Sequence, residues 1–271
     1  MSEQIEKLSH IEHILKRPDS YVGPTSKTCE QYWVLDGTKF VQKSLTYSPA
    51  LLKIFDEILV NAIDRNSMYP NDVKSISVLF DPVSGLISIE NSGPLGGISV
   101  KQHPIEKIWN PELTFVHLLT STNYNDVQKR TVGGRNGYGA KLANIYSTLF
   151  AVTICDAENN VKYVQKWEKN MTVCHPPKIT KYSKKTSSVN ICFFPDWALF
   201  GGQETTDFLK IVEKRVWDAS FCTSPKCIVE FQGTVIPKIA IEAFAGMYVS
   251  TQVYSVSTPR WQVAIAPSED V

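Results

Sequence analysis

Three oxygen-bearing side chains recur at helical spacing within residues 49–68, PALLKIFDEILVNAIDRNSM. Glu57, Asn61 and Asp64 lie four and then three residues apart, so in a helix they align along one stripe. A carboxylate can take a proton from an attacking water, and an amide with a second carboxylate offers oxygen ligands to hydrated Mg²⁺. The same spacing also suits a surface helix whose polar face meets water, with Lys53 and Glu57 as an ordinary ion pair.

An amphipathic helix must position this stripe. Ser48 is a suitable N-cap, and Pro49 a suitable first residue. The segment places a polar arc opposite an apolar arc at the 3.6-residue period. The polar arc contains Lys53, Asp56, Glu57, Asn61 and Asp64, and the apolar arc contains Ile54, Phe55, Ile58, Leu59, Ala62 and Ile63.

A second candidate element is the glycine-rich segment 133–142, GGRNGYGAKL, which leads into a predicted helix over Ala140–Leu149. Glycines let successive backbone N–H groups approach a phosphate, and the following helix points its positive end toward it. Arg135 and Lys141 add cationic donors. The spacing matches neither the Walker A nor the Rossmann pattern, so a flexible linker is the alternative.

Another glycine-dense turn, Asn91–Gly97, follows a predicted hairpin of strands over Val73–Phe80 and Gly85–Glu90. Asn91 and Ser92 could present a polar group to a purine edge while the glycines let the ring approach the backbone. Turns of this composition are common, so the pattern alone is a weak indication.

Composition limits the class of protein. Of 271 residues 43% are hydrophobic, and 28 basic against 27 acidic residues leave a net charge of +1. This balance favours no nucleic-acid partner for the chain as a whole. The N-terminus is charged rather than a secretory signal, and the sequence has no apolar run of about 20 residues, so we expect no membrane partner. Six cysteines without metal-ligand spacing predict reduced, mostly buried thiols in an intracellular protein.

Strands and helices follow one another without regular βαβ alternation, which predicts an α+β fold with helices on one face of a largely antiparallel sheet. Lys178–Lys185 reads as a solvated loop or a surface for a polyanion. The segment 260–266 reads as a strand that begins a new unit. Further helices are predicted over Glu6–Lys16, Pro111–Thr120 and Thr206–Phe221, a hairpin over Gln31–Tyr47, and strands over Phe150–Cys155, Val161–Trp167, Val189–Phe194 and Cys227–Gln232.

Four stretches together carry a family resemblance: IEHILKRPDSYVG (11–23), DEILVNAID (56–64), HLLTSTNYND (117–126) and VGGRNGYGAKLANIYST (132–148). They resemble the ATPase domain of eukaryotic-type type IIA DNA topoisomerases, which has the Bergerat ATP-binding fold of the GHKL family. The divergence resembles that of a large DNA virus enzyme. The resemblance implies an N-terminal strap (1–22), a GHKL ATPase domain (23–248) and the start of a truncated transducer domain (249–271).

The resemblance also implies residue roles. Glu57 would be the general base, Asn61 the Mg²⁺ ligand, and Asp64 a neighbour of the ATP nucleotide. Asn91 and Ser92 fall on the adenine-recognising turn. Ser121, Thr122 and Asn123 match positions near ribose and phosphate, and Arg135, Asn136, Gly137, Tyr138, Gly139 and Lys141 match the phosphate-cradling lid.

Three departures from the family pattern stand out. Relatives carry Asp or Asn where Ser92 stands, the turn Gly93–Gly97 is two residues longer than usual, and Ile5 replaces a tyrosine that reaches the partner subunit. A bridging water could compensate for the shorter serine, with looser base selectivity. The longer turn could reshape the rim of the pocket.

The implied activity is ATP-driven closure of the N-gate of a homodimer that passes one double-stranded DNA through another. We expect host cytoplasm for a viral enzyme and the nucleus for a cellular one. The alternatives are another GHKL ATPase, or a nucleotide-sensing dimerisation module without efficient hydrolysis. Relatives place a transducer lysine on the γ-phosphate, so we expect this piece alone to bind ATP and Mg²⁺ but to turn over slowly.

Overall fold

The computed structural model describes residues 7–117, 137–203, 206–258 and 261–268. Within these ranges the helices are α1 (His10–Lys16), α2 (Pro49–Met68), α3 (Asn110–Phe115), α4 (Gly139–Ile145), α5 (Thr206–Cys222) and α6 (Ile241–Ala245). The strands there are β1 (Thr28–Asp36), β2 (Lys39–Tyr47), β3 (Ser75–Asp81), β4 (Leu86–Gly93), β5 (Ser147–Asp156), β6 (Val161–Glu168), β7 (Val173–Cys174), β8 (Lys178–Lys181), β9 (Ser187–Pro195), β10 (Ile228–Phe231), β11 (Thr234–Ile236), β12 (Tyr254–Ser257) and β13 (Gln262–Ile265).

One large sheet organises the fold. Its strands run in the order β11-β10-β3-β4-β9-β5-β6-β7, with β8 also paired to β6. The pairs are antiparallel except β10 with β3. Along β4 and β9 buried and half-buried residues alternate, so one face of the sheet joins the core and the other, here called the outer face, stays partly exposed. The predicted α+β class with a mostly antiparallel sheet is confirmed.

Helix α2 has the predicted bounds and the predicted start. The Ser48 hydroxyl accepts a hydrogen bond from the Leu51 N–H at 3.4 Å, and Pro49 occupies the first turn. Its apolar arc is buried against the sheet except for Ile63, which is only partly buried. Full burial of each large aliphatic or aromatic side chain contributes about 1.5–3 kcal/mol, which fixes the rotation of α2 about its axis.

The predicted first hairpin is also confirmed. Strands β1 and β2 pair from Thr28–Tyr47 to Asp36–Lys39, with Gly37 at the turn at a φ of +62°. The hairpin packs on α5 through a small apolar cluster that contains Val34, Leu45 and Ile211. It therefore forms a two-stranded sheet of its own beside α5, apart from the main sheet.

Three predicted helices are too long. The helix predicted over Glu6–Lys16 begins at His10, because Ser9 caps it and accepts from the Glu12 N–H; Glu6 lies outside the described ranges. The helix predicted over Pro111–Thr120 ends at Phe115, where β-branched Val116 follows, and residues 118–120 lie outside the described ranges. The helix predicted over Ala140–Leu149 ends at Ile145. There the Ser147 hydroxyl donates to the Ala143 carbonyl at 2.6 Å, and the alternating pattern of the next strand already begins.

Two further expectations need correction. Lys178–Lys181 forms β8 rather than a loop, because backbone pairing with β6 does not require its side chains to be buried. The strand predicted at 260–266 is present as β13, which pairs with β12 in a two-stranded sheet apart from the main one. The cysteines are all free, but of the six only Cys227 is buried, since Cys155 and Cys192 lie on the outer face. Within the described ranges every helix is too short or too polar to be a membrane span.

We expect Tyr146→Phe to lower the free energy of unfolding by about 1–2 kcal/mol, because a buried carbonyl loses its donor. The Tyr146 hydroxyl donates to the Ile14 carbonyl at 2.7 Å and so ties α1 to the end of α4. Urea unfolding monitored by circular dichroism measures the change. The control is Tyr182→Phe, whose hydroxyl bonds within an exposed loop; equal losses in both variants would contradict this prediction.

Candidate functional site

The central feature of the site is a close approach between α2 and α4. One carboxylate oxygen of Glu57 accepts from Lys53 at 2.5 Å, while the other lies against the backbone of Gly139. A Cβ at residue 139 would collide with that oxygen and would lie 2.9 Å from the Glu57 carboxyl carbon. Glycine at this position is therefore what lets the start of α4 reach the carboxylate.

The rest of the polar stripe shares the Glu57 side of α2. Asn61 is exposed and Asp64 is half-buried. Asp56 belongs to a different environment, because it accepts from Arg215 of α5 at 2.9 Å. Burial raises the pKa of Asp56, and the Arg215 ion pair opposes that rise. Adjacent acids on α2 thus serve different purposes, one structural and one facing α4.

Lys141 is buried in the first turn of α4, with 1% of its surface exposed. Its ammonium group donates to the Gly137 carbonyl, which ties the glycine segment to the first turn of the helix. Burial lowers the pKa of Lys141 to about 8. An anion brought beside this group would favour its charged form further and would accept a charge-assisted hydrogen bond from it.

The two polar residues at the end of β4 point to opposite faces of the sheet. Asn91 is buried on the core side, and its amide N–H donates to the Gly96 carbonyl. That bond leaves the Asn91 amide oxygen as an acceptor. Ser92 lies on the outer face, where its hydroxyl shares a 2.7 Å hydrogen bond with Ser75. The structure therefore brings Asn91, and not the Ser92 side chain, to the α2 side of the sheet.

Arg65 holds the glycine turn from α2, a contact that the sequence pattern did not indicate. Its Nε donates to the Leu95 carbonyl at 2.9 Å, and its Nη2 donates to the Gly97 carbonyl at 3.0 Å. The guanidinium also lies over the Tyr69 ring, 4.4 Å from its centroid. Arg65 is four residues after Asn61, and this spacing was the signal that could have drawn attention to it.

Gly93 makes the sharp entry into that turn. It has a φ of +147°, and a side chain there would collide with the Asp72 carbonyl. Arg65 binds the far end of the same turn, so hydrogen bonds join helix α2 to the turn that follows Asn91 and β4.

The remaining predicted site residues divide into two groups. Gly137 and Tyr138 directly precede α4, and Tyr138 packs partly buried against the core. The others lie outside the described residues, and these are Ser121, Thr122, Asn123, Arg135 and Asn136. Ile5 also lies outside them.

Comparison with known proteins gives consistent matches. The chain is 40% identical over 281 residues to DNA topoisomerase 2 of Arabidopsis thaliana, covering 99% of this chain and 19% of that protein. It is 47% identical over 220 residues to DNA topoisomerase 2 of Candida glabrata, covering 80% of this chain and 15% of that protein. No family model matches the chain.

Solved structures give the same result at the level of the fold. The ATPase region of Saccharomyces cerevisiae topoisomerase II superposes with a TM-score of 0.92 and 40% identity, covering 98% of this chain and 71% of that one. The ATPase and transducer domains from Balamuthia mandrillaris give a TM-score of 0.91 and 37% identity, covering 98% of this chain and 69% of that one.

The chain belongs to the family of topoisomerase II ATPase regions. The expected GHKL (Bergerat) fold is thereby confirmed. The chain spans 15 to 20% of the length of the curated topoisomerase relatives that it matches. One of the solved yeast ATPase regions was determined bound to ICRF-187 (dexrazoxane).

We expect Arg65→Ala to speed amide hydrogen exchange at Leu95, Gly96 and Gly97 by about tenfold or more, because two charge-assisted hydrogen bonds are removed. Mass-spectrometric exchange on the free protein measures this. Arg65→Lys should show an intermediate effect, since an ammonium group cannot reproduce the planar two-bond contact. Arg215→Ala is the control on α5 and should leave the turn unchanged. Native exchange in Arg65→Ala would show that the turn does not depend on this side chain.

Proposed function

We propose that this chain binds and hydrolyses ATP as the ATPase region of a type II DNA topoisomerase. The observation that carries the proposal is the Glu57 carboxylate set against Gly139, which joins the oxygen-bearing stripe of α2 to the glycine segment. Similarity to topoisomerase II ATPase regions over 98% of the chain supports the same function.

In the proposed reaction Glu57 is the general base. Its carboxylate accepts a proton from the attacking water while the water oxygen bonds to the γ-phosphorus. The bond from that phosphorus to the bridging oxygen breaks, and ADP and inorganic phosphate are released. The ion pair with Lys53 limits the rotamers of Glu57, which keeps the base oriented.

Mg²⁺ is the proposed metal, with Asn61 as its protein ligand. Magnesium is commonly held by one or two protein oxygens, phosphate oxygens and waters, so an exposed amide on the stripe fits it. Within the described ranges no group of three His, Cys, Asp or Glu side chains could hold a metal by itself. When bound, Mg²⁺ would neutralise phosphate charge, and Asp64 lies on the same side of α2.

Asn91 is the proposed reader of the base. With its N–H committed to the Gly96 carbonyl, its oxygen can accept from the exocyclic amine of adenine. Guanine carries an acceptor at that position and would leave the oxygen unpaired. Ser92 supports this end of β4 through Ser75. The proposed ribose, phosphate and lid contacts are Ser121, Thr122, Asn123, Arg135, Asn136, Gly137, Tyr138, Gly139 and Lys141.

For the whole enzyme we propose a homodimer whose N-gate closes on ATP binding and which acts on double-stranded DNA. The identities of 37 to 47% to cellular relatives are compatible with a viral origin. We propose African swine fever virus as the source. The enzyme would then work at replication sites in the host cytoplasm, whereas a cellular member would work in the nucleus. Immunofluorescence of infected cells distinguishes the two locations.

We expect Glu57→Gln to leave the Kd for ATP within about threefold of wild type and to lower ATP turnover by at least about 100-fold in the full-length enzyme. The amide keeps the size of the side chain but cannot accept the proton. Calorimetric binding and coupled-assay turnover measure the two effects. Asp56→Asn is the matched control on the neighbouring acid and should retain turnover. Turnover that survives in Glu57→Gln would remove this residue from the role of base.

We expect Asn61→Ala to abolish most of the Mg²⁺-dependent part of ATP affinity while the affinity measured in EDTA stays unchanged. Loss of the one protein oxygen would leave the metal held by phosphate and water alone. Titrations with and without Mg²⁺ on both proteins give the comparison. If wild type binds ATP equally well with and without the metal, the ligand role fails.

A further inference from the structure

Positive charge is concentrated in one stretch of this nearly neutral chain. Residues 161–186 contain seven lysines and a single glutamate, whereas the whole chain carries a net charge of +1. The remainder is therefore net acidic. The seven lysines are Lys162, Lys166, Lys169, Lys178, Lys181, Lys184 and Lys185.

The fold gathers five of these lysines at one end of the large sheet. We call Lys162, Lys178, Lys181, Lys184 and Lys185 the basic edge. Every residue of β8 is exposed. Lys178 pairs across from Val164 of β6, and Lys162 pairs across from Thr180, so both lysines lie on the outer face. Lys181 pairs across from Val161, which packs against the core, so Lys181 is exposed on the opposite face of this edge.

The loop after β8 is held in a defined shape. The Tyr182 N–H donates to the Asn160 carbonyl at 2.9 Å, and the Tyr182 hydroxyl donates to the Thr186 carbonyl at 2.7 Å. These bonds close the loop on both sides of Lys184 and Lys185. The two ammonium groups are therefore carried on an ordered scaffold, which reduces the entropy lost on binding a partner.

The basic edge has few carboxylates to neutralise it. Among the described residues, none of its five lysines makes an ion pair, whereas Lys43 and Lys210 are bound to Asp36 and Asp207. Glu168 is engaged by Lys166 and His175, and Asp156 accepts from the Val100 N–H. Glu158 in the β5–β6 turn is exposed and lowers the local charge by one. On the outer face, Glu90 accepts from the Asn190 amide at 3.1 Å. Burial raises the pKa of Tyr182 and Glu90 adds to that rise, so Glu90 is a second carboxylate that acts on the loop.

We propose that the basic edge binds the phosphate backbone of double-stranded DNA. The choice of DNA rests on the proposed function, and the charge density of a duplex, about one per 1.7 Å of axis, suits a cluster of lysines that make no ion pairs among the described residues. Lysines on edge strands also prevent strand pairing between molecules. That role does not explain Lys162, which is on the interior strand β6, or Lys184 and Lys185, which lie in a loop.

The test is fluorescence anisotropy of a labelled 30-base-pair duplex with this chain at several salt concentrations. We expect Lys178→Ala/Lys181→Ala/Lys184→Ala/Lys185→Ala to weaken binding at least about tenfold at low salt. The slope of log K against log salt should fall by about 0.9 for each phosphate that the variant no longer neutralises, up to about 3.6. The matched control is Lys43→Ala/Lys74→Ala/Lys210→Ala/Lys226→Ala, which removes the same charge elsewhere and should weaken binding much less.

Lys184→Ala/Lys185→Ala changes only the loop, so it tests whether the effect of the larger variant comes from a disturbed strand β8. It should show about half of the change in slope. Equal DNA affinity and slope in wild type and the basic-edge variants would overturn the proposal. So would loss of binding to phosphatidylserine vesicles with unchanged binding to DNA. Calorimetric ATP binding is measured on the same samples. If the chain does not bind ATP but still binds DNA through the basic edge, the proposed function is refuted and the DNA-binding proposal is retained.

Discussion

The candidate site depends on the contact between the Glu57 carboxylate and the backbone of Gly139. Helix α2 cannot rotate to relieve a clash, because rotation would expose the apolar arc that is buried against the sheet. Helix α4 is itself buried on most of its surface and cannot retreat. With Glu57 in this orientation, the two elements can approach this closely only where residue 139 has no side chain. The polar stripe consequently faces a glycine segment instead of open solvent.

The polar side chains of α2 around this contact point toward different neighbouring elements. Asp56 and Glu57 are adjacent in sequence but point about 100° apart on a helix, so one reaches Arg215 of α5 and the other reaches α4. Arg65 extends the same helix toward the glycine turn after β4. A single helix thus aligns the proposed base, the proposed metal ligand and the base-reading turn, and displacement of α2 would disturb all three together.

Positive charge is distributed unevenly over this fold. The balance of 28 basic and 27 acidic residues hides a strongly basic stretch, because net charge says nothing about where charges lie. Pairing of β8 with β6 assembles that stretch into a surface with few neighbouring carboxylates. The proposed ATP site and the basic edge occupy different parts of the molecule, one between helices and one at the edge of the sheet.

The sequence by itself determined the local elements that have strong periodicity or turn chemistry. These include α2 with its Ser48 cap, the Asp36–Gly37 hairpin, and the stripe from Glu57 to Asp64, since each depends on contacts within a few residues. Family resemblance supplied the nucleotide roles. Tertiary structure alone decided the rest: the sheet register turned the Ser92 side chain to the outer face, a partner strand made 178–181 a strand, and Arg65 reached a turn thirty residues away. Such outcomes depend on which distant backbone groups come within hydrogen-bonding distance, and that distance is set only when the chain has packed.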